Sequence, residues 1–489
     1  MRKQADRAAG SVSVFLALSV LILLCLLTAL TESVRIRAGR VSWQIAAGDA
    51  ARSLQASYCR ELFDRYGVLF YWPGKTVLSE EAEALFLPAS DPSDGLFSRA
   101  EGLYPLRDGE ASFAQVKRAC DGGGYLLRRQ MLAAAAADTL TSLAAVLDEQ
   151  AAIFESAEQA AEGLEEAYQS YSEPDWEALA QNLPVPETPE GEDPPPPPGP
   201  DEDQKSFFDA LLAYVRHPFL QLVLPPGAAV SSVTIDSTDV YVGNLRVSDA
   251  QAAANDLIER GGLCAFALGH TGCFTEPNRD GGLQYETEYL IGGGLKDEDN
   301  LAVVAGRVFA VRQGMNAAYL VSDGPSMAKV ATIANAVFGW TGIAWLVEGA
   351  KGVLVYAWSF AESVLDTRAL LAGKKVAFAK TRETFVLSPD NLAAFAGASA
   401  KETESGMDYR EYLLVFLAML DRLALTERMG GLMQMHMRTL NPAFRLDACI
   451  GEAVLAYDGE LKGRYLAVVP IPGIRSLYRF HVERTVTFE

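Results

Sequence analysis

The sequence predicts an α+β protein: an N-terminal transmembrane helix continuing into a helical coiled-coil hairpin, a Pro-rich linker, and then a mixed α/β globular domain. Three patterns carry this expectation. Residues 12–31 form a run of twenty without a charge. Residues 133–171 set apolar side chains at alternating spacings of three and four, the period of a packed helix. The C-terminal half opens and closes on period-two alternation, with helical periodicity between.

Length and composition bound the remaining choices. A chain of 489 residues accommodates two to four domains at about 100–200 residues each. Lys plus Arg number 42 and Asp plus Glu 63, for a net charge of −21. A phosphate backbone repels such a chain and no long basic run offsets the repulsion, so nucleic acid is excluded as a partner. A hydrophobic fraction of 49% excludes global disorder. Six cysteines in this length do not make a disulfide scaffold. The mean hydropathy of +0.08 is high for a purely soluble chain and directs attention to a membrane segment.

That segment lies in residues 1–35, a basic leader followed by an anchor. Val12, Phe15, Leu16, Leu18, Leu21, Leu24, Leu27 and Leu30 mark the apolar run. At about 1.5 Å per residue, twenty residues span about 30 Å, the thickness of a bilayer core. Arg2, Lys3 and Arg7 precede it, and Glu32, Arg35, Arg37 and Arg40 follow, so the basic flanks orient it poorly. The run exceeds the roughly 7–15 residues of a signal-peptide core and lacks an A-x-A-like site after it, which predicts an uncleaved anchor. Beyond it, Ile36, Trp43, Ala47, Ala50 and Leu54 keep a loose 3-4 spacing without proline, predicting one helix of about 55 residues, half in lipid. Gly67 is a candidate C-terminal stop.

Residues 36–182 read as a helical neck with a turn-rich insertion at 71–124. Its seam runs through Leu140, Leu143, Leu147, Phe154, Leu164 and Tyr168, with one polar position at Gln150. The extramembrane half of the first helix is the expected partner, in an antiparallel hairpin; self-association into a stalk is the alternative. Residues 183–204 are rich in proline and carboxylates and predict an extended spacer.

Residues 205–489 read as the α+β domain. Strands are expected at 232–242, 283–291, 465–470 and 476–488, and helices at 248–260, 299–320 and 409–440. An apolar helical hairpin at 327–371 includes eighteen uncharged residues, 330–347. It is expected as buried core, with an exposed binding surface or membrane insertion as alternatives. Met429, Met433 and Met437, four apart, predict a packed helix face.

Chemistry-bearing patterns are sparse. The four histidines, His217, His270, His436 and His481, lie in no H-E-x-x-H, and no G-x-S-x-G occurs. Cys264, His270 and Cys273 offer three possible zinc ligands without an evident fourth. Two free thiols, or a Cys264–Cys273 disulfide outside the cell, are the other readings. Glu276, Asn278, Asp280 and Gly281 have calcium-loop spacing, but Thr287 stands where a bidentate Glu is required, and a hairpin turn entering a strand is expected. The acidic cluster 297–299 with Asn300 is explained by helix N-capping and dipole complementarity. No catalytic residue, metal site or cofactor is expected, and no enzyme activity.

The opening 9–18 (AGSVSVFLAL), the stretch 58–70 (YCRELFDRYGVLF), 285–293 (YETEYLIGG), 339–342 (GWTG), 357–363 (AWSFAES), 372–376 (AGKKV) and 408–413 (DYREYL) carry a resemblance across most of the chain. It resembles an uncharacterised family of Gram-positive bacterial proteins, a domain of unknown function associated with tight-adherence (Tad/Flp) pilus loci. The opening is also similar, more weakly, to TadE/TadG-type minor pseudopilins. In those, prepilin peptidase cuts after a glycine, which here implies Gly10 and Ser11 as the processing site; a typical prepilin has Glu where this sequence has Phe15. The resemblance implies a single-pass cell-membrane protein with its C-terminal domain extracytoplasmic. The implied role is a pseudopilin-like or accessory component of a pilus or secretion assembly, with the lipid bilayer and other membrane proteins of that machine as partners. A surface-exposed binding or sensing protein with an N-terminal anchor is the alternative.

Overall fold

The structure, a computed structural model, describes residues 2–74, 80, 82, 107–135, 140–171, 219–243, 257–339, 342–388, 397–462 and 477–488. The proline-rich segment 183–204 and the expected strand at 465–470 lie outside the described residues. Contacts divide the chain into two units. The first is Met1–Gln130, Val242–Val247 and Leu440–Glu489; the second is Met131–Tyr241 and Ser248–Thr439.

The first unit is built on α1 (Arg2–Ala56), a single helix of 55 residues. A short α2 (Arg60–Tyr66) follows and ends on Gly67, whose left-handed φ of 67° is accessible to glycine at little cost. Three antiparallel strands, β1 (Arg107–Arg118), β2 (Ile450–Lys462) and β3 (Leu477–Thr487), form one sheet in the order β1-β2-β3. Phe113 pairs with Leu455, and Tyr457 with Val482. On α1, Trp43, Ala46, Ala47, Ala50 and Leu54 are buried in one core with Ala453, Leu455, Tyr457 and Leu461 of β2 and Phe480, Val482 and Val486 of β3. Helical spacing on one side meets period-two spacing on the other. Gly459 leaves the room that the Trp43 indole occupies; a Cβ there would collide with the ring.

The turn-rich reading of 71–124 is corrected at β1, which lies inside it. Gly122, Gly123 and Gly124 all take left-handed φ values just after that strand. They precede the right-handed part of α3 (Asp121–Ala134).

The second unit is helical: α4 (Leu140–Tyr171), α5 (Phe219–Val223), α6 (Ser237–Val240), α7 (Leu257–His270), α8 (Glu286–Gly292), α9 (Asp297–Ser322), α10 (Gly324–Phe338), α11 (Ala344–Leu371), α12 (Tyr409–Met419) and α13 (Arg422–Leu440). The seam of α4 is a buried face, with Leu147, Phe154, Ala157 and Ala161 inside and Leu164 and Tyr168 partly covered. The side chains of Leu140 and Leu143 lie outside the described ones. The partner expected for this seam is corrected: α4 packs on α7, α9, α11 and α12, while the C-terminal half of α1 packs on β2 and β3. Phe154 meets Phe378, Tyr412 and Phe416, and Tyr168 stacks on Tyr356 at 4.4 Å. Sequence boundaries that set α4 beside the N-terminal helix, and β2 and β3 with the C-terminal helices, are exchanged by these contacts.

Other local expectations change for identifiable reasons. The segment 232–242 makes only an isolated bridge, Thr234 to Lys296, because Asp236 accepts from Thr238 N–H at 2.8 Å and opens α6. The strand expected at 283–291 is α8. The helix expected at 409–440 is two, because Leu420 is extended and Asp421 accepts from Leu423 N–H at 2.9 Å, restarting the chain as α13. The apolar hairpin is α10 packed on α11, with α11 almost entirely buried from Val353 onward. Met429, Met433 and Met437 are buried.

α4 and α9 approach closely at Gly314, where a Cβ would collide with the Ala157 carbonyl oxygen. Gly314→Ala should therefore destabilise the second unit by about 1–3 kcal/mol. Gly306→Ala, on the same helix with nothing within 4 Å of the added Cβ, should stabilise it by about 0.5–1 kcal/mol. Urea midpoints of the two variants should move in opposite directions.

Candidate functional site

Two features carry chemistry. In the first unit it is the apolar stretch of α1. Val12, Phe15, Leu16, Leu18, Leu21, Leu24, Leu27 and Leu30 all stand exposed. Val12–Ala56 is a helix long and apolar enough to cross a membrane. The backbone at Gly10 and Ser11 is helical, and their side chains lie outside the described ones. The few polar side chains in the stretch turn back on their own helix. Ser19 Oγ donates to Phe15 O, Thr28 Oγ1 to Cys25 O, and Thr31 Oγ1 to Leu27 O, each at 2.9 Å. Such bonds satisfy hydroxyls that hydrocarbon would leave without partners. The first charges after the stretch pair with each other: Arg35 Nη2 donates to Glu32 Oε1 at 2.8 Å and Nε to Oε2 at 3.2 Å.

In the second unit the feature is a carboxylate-lined turn that ends in α8. Glu286, Thr287 and Glu288 are all buried and all reach back to the loop after α7. Gly272 N–H donates to Glu286 Oε2 at 3.0 Å and Asn278 Nδ2 to Oε1 at 2.6 Å, and His436 Nε2 lies 2.7 Å from the same Oε1. Thr287 Oγ1 bonds to Thr271 Oγ1 at 2.7 Å and to Gly272 O at 3.1 Å. Glu288 Oε1 accepts from Phe274 N–H at 2.8 Å and from the Tyr409 hydroxyl at 2.9 Å. Its Oε2 is buried without a hydrogen-bond partner among the described residues. Burial pushes the Glu288 carboxyl up to about 7 against these two donors, and the nearby Asp297 pushes in the same direction. The Tyr409 hydroxyl is raised well above its ordinary value by burial and by Glu288. The arrangement can hold a proton near neutrality in a dry interior.

Asp297 closes this turn. It was expected to cap α9, but the capping position is Lys296 and makes no side-chain cap. Asp297 instead accepts from Gln284 N–H and Tyr285 N–H, and from Ser231 Oγ at 2.6 Å. The turn containing Glu276, Asn278 and Asp280 therefore leads into a helix, and Asn278 serves as a donor to Glu286.

A second buried network fastens 376–387 to α9 and α11. Arg312 Nη2 donates to Asp366 Oδ2 at 2.8 Å, and its Nη1 to Ala377 O and Phe378 O at 3.0 Å. Lys380 Nζ lies 2.7 Å from both Glu362 Oε1 and Asp366 Oδ1. Burial raises Asp366, but Arg312 and Lys380 together hold it below its ordinary value; burial leaves Glu362 above its own despite Lys380.

Among the described residues no group of three or more His, Cys, Asp and Glu side chains is placed to hold a metal ion. Cys264 and Cys273 are buried free thiols, and burial pushes Cys264 up to about 12. His270 Nδ1 lies 2.8 Å from Phe266 O. The structure does not gather the three into one site. Sequence reasoning missed Glu286, Glu288, Asp297 and Tyr409 as one constellation; the signal was three acids, at 286, 288 and 297, around the Gly292–Gly294 stop.

The family model that matches the chain is described as a family of unknown function, DUF5702, and covers residues 198–460, more than half of the chain. No curated protein and no solved structure matches.

Glu288 sets a stability window. Its folded value lies above the ordinary 4.5. Between those values the folded protein keeps a proton that the unfolded chain has released, so stability is present below 4.5 and falls as pH rises toward 7. The loss between pH 4 and pH 8 should be on the order of 3 kcal/mol, and Glu288→Gln should abolish it. Urea unfolding of both proteins across that range measures the difference; parallel profiles would remove the assignment.

Proposed function

The chain belongs to DUF5702, a family of unknown function, and we propose that it is a membrane-anchored, non-enzymatic component of a tight-adherence (Tad/Flp) type pilus or secretion assembly, either pseudopilin-like or accessory. One observation carries the reading. A single uninterrupted helix has an exposed apolar half followed by a half buried under an antiparallel sheet. A part that joins a bilayer to an extramembrane assembly needs such a rigid element shared by both environments. The matched family region begins after this helix, so the anchor belongs to the residues outside the match.

The lipid bilayer is one partner, reached through the stretch bearing Leu16, Leu21 and Leu27. Other membrane proteins of the machine are the second, reached through the same helix. The C-terminal domain is extracytoplasmic in this reading. The buried carboxylates fit a structural role, because backbone amides, hydroxyls and cations of the chain itself engage them.

A photo-crosslinking side chain at Leu16 or Leu27, introduced in cells that make the native assembly, should yield an adduct with another membrane protein of that assembly. Adducts with lipid alone would favour a surface-exposed binding or sensing protein that merely uses an anchor. Leu21→Arg should cost about 2.5–3.5 kcal/mol of insertion free energy and shift the chain from the floating membrane fraction toward the soluble or degraded pool. Protection of a C-terminal tag from protease on protoplasts would overturn the extracytoplasmic placement.

A further inference from the structure

Glu362 and Asp366 stand one turn apart on α11, so both carboxylates leave the same side of the helix. Lys380 follows Asp366 by 14 residues and returns to meet them. Its side chain is 1% exposed and theirs are 0%. By contrast, Lys117, Lys351 and Lys375 pair with carboxylates where water reaches them. Each proton of the Lys380 ammonium has its own acceptor: Asp366 Oδ1 and Glu362 Oε1 at 2.7 Å, and Thr384 O at 3.1 Å. The far oxygen of Asp366, Oδ2, accepts from Arg312 Nη2 at 2.8 Å, Asn316 Nδ2 at 3.0 Å and Arg312 Nε at 3.1 Å. The Phe385 ring stands over Lys380 Nζ, 5.7 Å from it.

We propose that Lys380 and Asp366 join through an intramolecular isopeptide bond, with Glu362 as the acid–base group of the reaction. An amine 2.7 Å from a carboxyl oxygen lies about 3.5 Å from its carbon, at near-attack range. Paired ions are costly in a dry interior, and transfer of one ammonium proton to Asp366 Oδ1 leaves a neutral amine beside a neutral carboxyl. The amine lone pair attacks Cγ. Negative charge gathers on Oδ2, where Arg312 and Asn316 already donate. Glu362 takes a second proton from the nitrogen and delivers it to Oδ1, which leaves as water when its bond to Cγ breaks. The third proton stays on the amide nitrogen, facing Thr384 O. One ammonium and one carboxylate become one amide and one water, and the balance needs no co-reactant.

Asp366 is the acid attacked because its far oxygen carries the cation and the amide donor. The far oxygen of Glu362 accepts from Leu387 N–H, and Oε1 from Val386 N–H beside the lysine. Burial, against Lys380, leaves Glu362 above its ordinary value, which suits a group that takes a proton and returns it. The bond fastens 376–387 to α11 permanently, where the ionic contacts alone would open with the fold. It goes beyond the role proposed above and does not rest on it.

The test is the mass of the full chain, purified in detergent micelles and then denatured. It should be one water below the mass of the unjoined chain. In a tryptic digest, tandem mass spectrometry should find the Asp366 peptide branched onto Lys380, with no cleavage after Lys380. Lys380→Met and Asp366→Ala should restore the full mass. Glu362→Gln should lower the joined fraction of freshly made protein roughly tenfold or more, with near-UV circular dichroism as the check on folding. Where a variant does not fold, the unsubstituted chain decides alone, since the branch is either present or absent in it. Full mass, a branch from Lys380 to Glu362, a water loss mapped to other residues, or a folded Glu362→Gln chain that joins as completely would overturn the proposal.

Discussion

One helix carries both an exposed apolar stretch and a stripe buried in a core, and the first unit is arranged around covering that stripe. Along α1 the exposed apolar stretch gives way to a stripe of Trp43, Ala46, Ala47, Ala50 and Leu54 that cannot be left in water. Covering it takes a flat apolar surface. The small residues of the stripe admit a sheet at close range, and Gly459 admits the one large ring, Trp43. The sheet that does this is assembled from distant segments. β1 comes from residues 107–118, while β2 and β3 come from the last forty residues of the chain. Nearly all of the second unit is therefore inserted in sequence between β1 and β2, and the two ends of the chain meet in one core.

The second unit meets a different constraint. The chain carries a large excess of carboxylates, and several of them lie where water does not reach. A buried carboxylate persists only with donors, with a countercharge or with a proton. All three solutions occur. Glu286 takes amide donors and His436; Asp366 takes Arg312 and Lys380; Glu288 takes two donors on one oxygen and a raised affinity for a proton in place of more. The ionic group around Asp366 fixes the irregular segment 376–387, whose carbonyls and amides would otherwise be unsatisfied. The cost of such burial means that these charges specify the placement of loops more than they add stability.

This division explains what was legible in the sequence. Patterns that depend on one element alone were readable: the length of α1, the buried side of α4, α9, the α10–α11 hairpin, the methionine face of α13 and β3. What a periodic face packs against was not, because a 3-4 seam has the same appearance whether it meets one helix or four. Alternation misled at 283–291 because Glu286 and Glu288, the residues that a strand would turn to water, are inside. β2 kept its period in Ala453, Leu455, Tyr457 and Leu461, but Gly451 and Gly459 broke the run to the eye. β1 was hidden by its polar content and by register shifts near Phe113 and Lys117. At the Glu288 turn the acids at 286, 288 and 297 were visible, but not their burial or their partners, because Tyr409 lies 121 residues away.

For the proposed role, the continuity of α1 matters more than its apolarity. An apolar helix ending at the membrane surface and joined by a loop would anchor the chain while leaving its sheet free to turn. Here no proline interrupts residues 2–56, and the helix runs from the exposed leucines to the buried stripe without a break. At the end of the uncharged run the first charges, Glu32 and Arg35, are bonded to each other, so the helix crosses that boundary without presenting an unpaired charge to it. In the proposed anchor role, main-chain hydrogen bonds join the membrane-facing half without interruption to Trp43 and Leu54, which share a core with β2 and β3. A receptor needs only the tether. A part seated by other membrane proteins and carrying an orientation outward needs the rigid helix, and this is the argument for proposing an assembly role ahead of a sensing one.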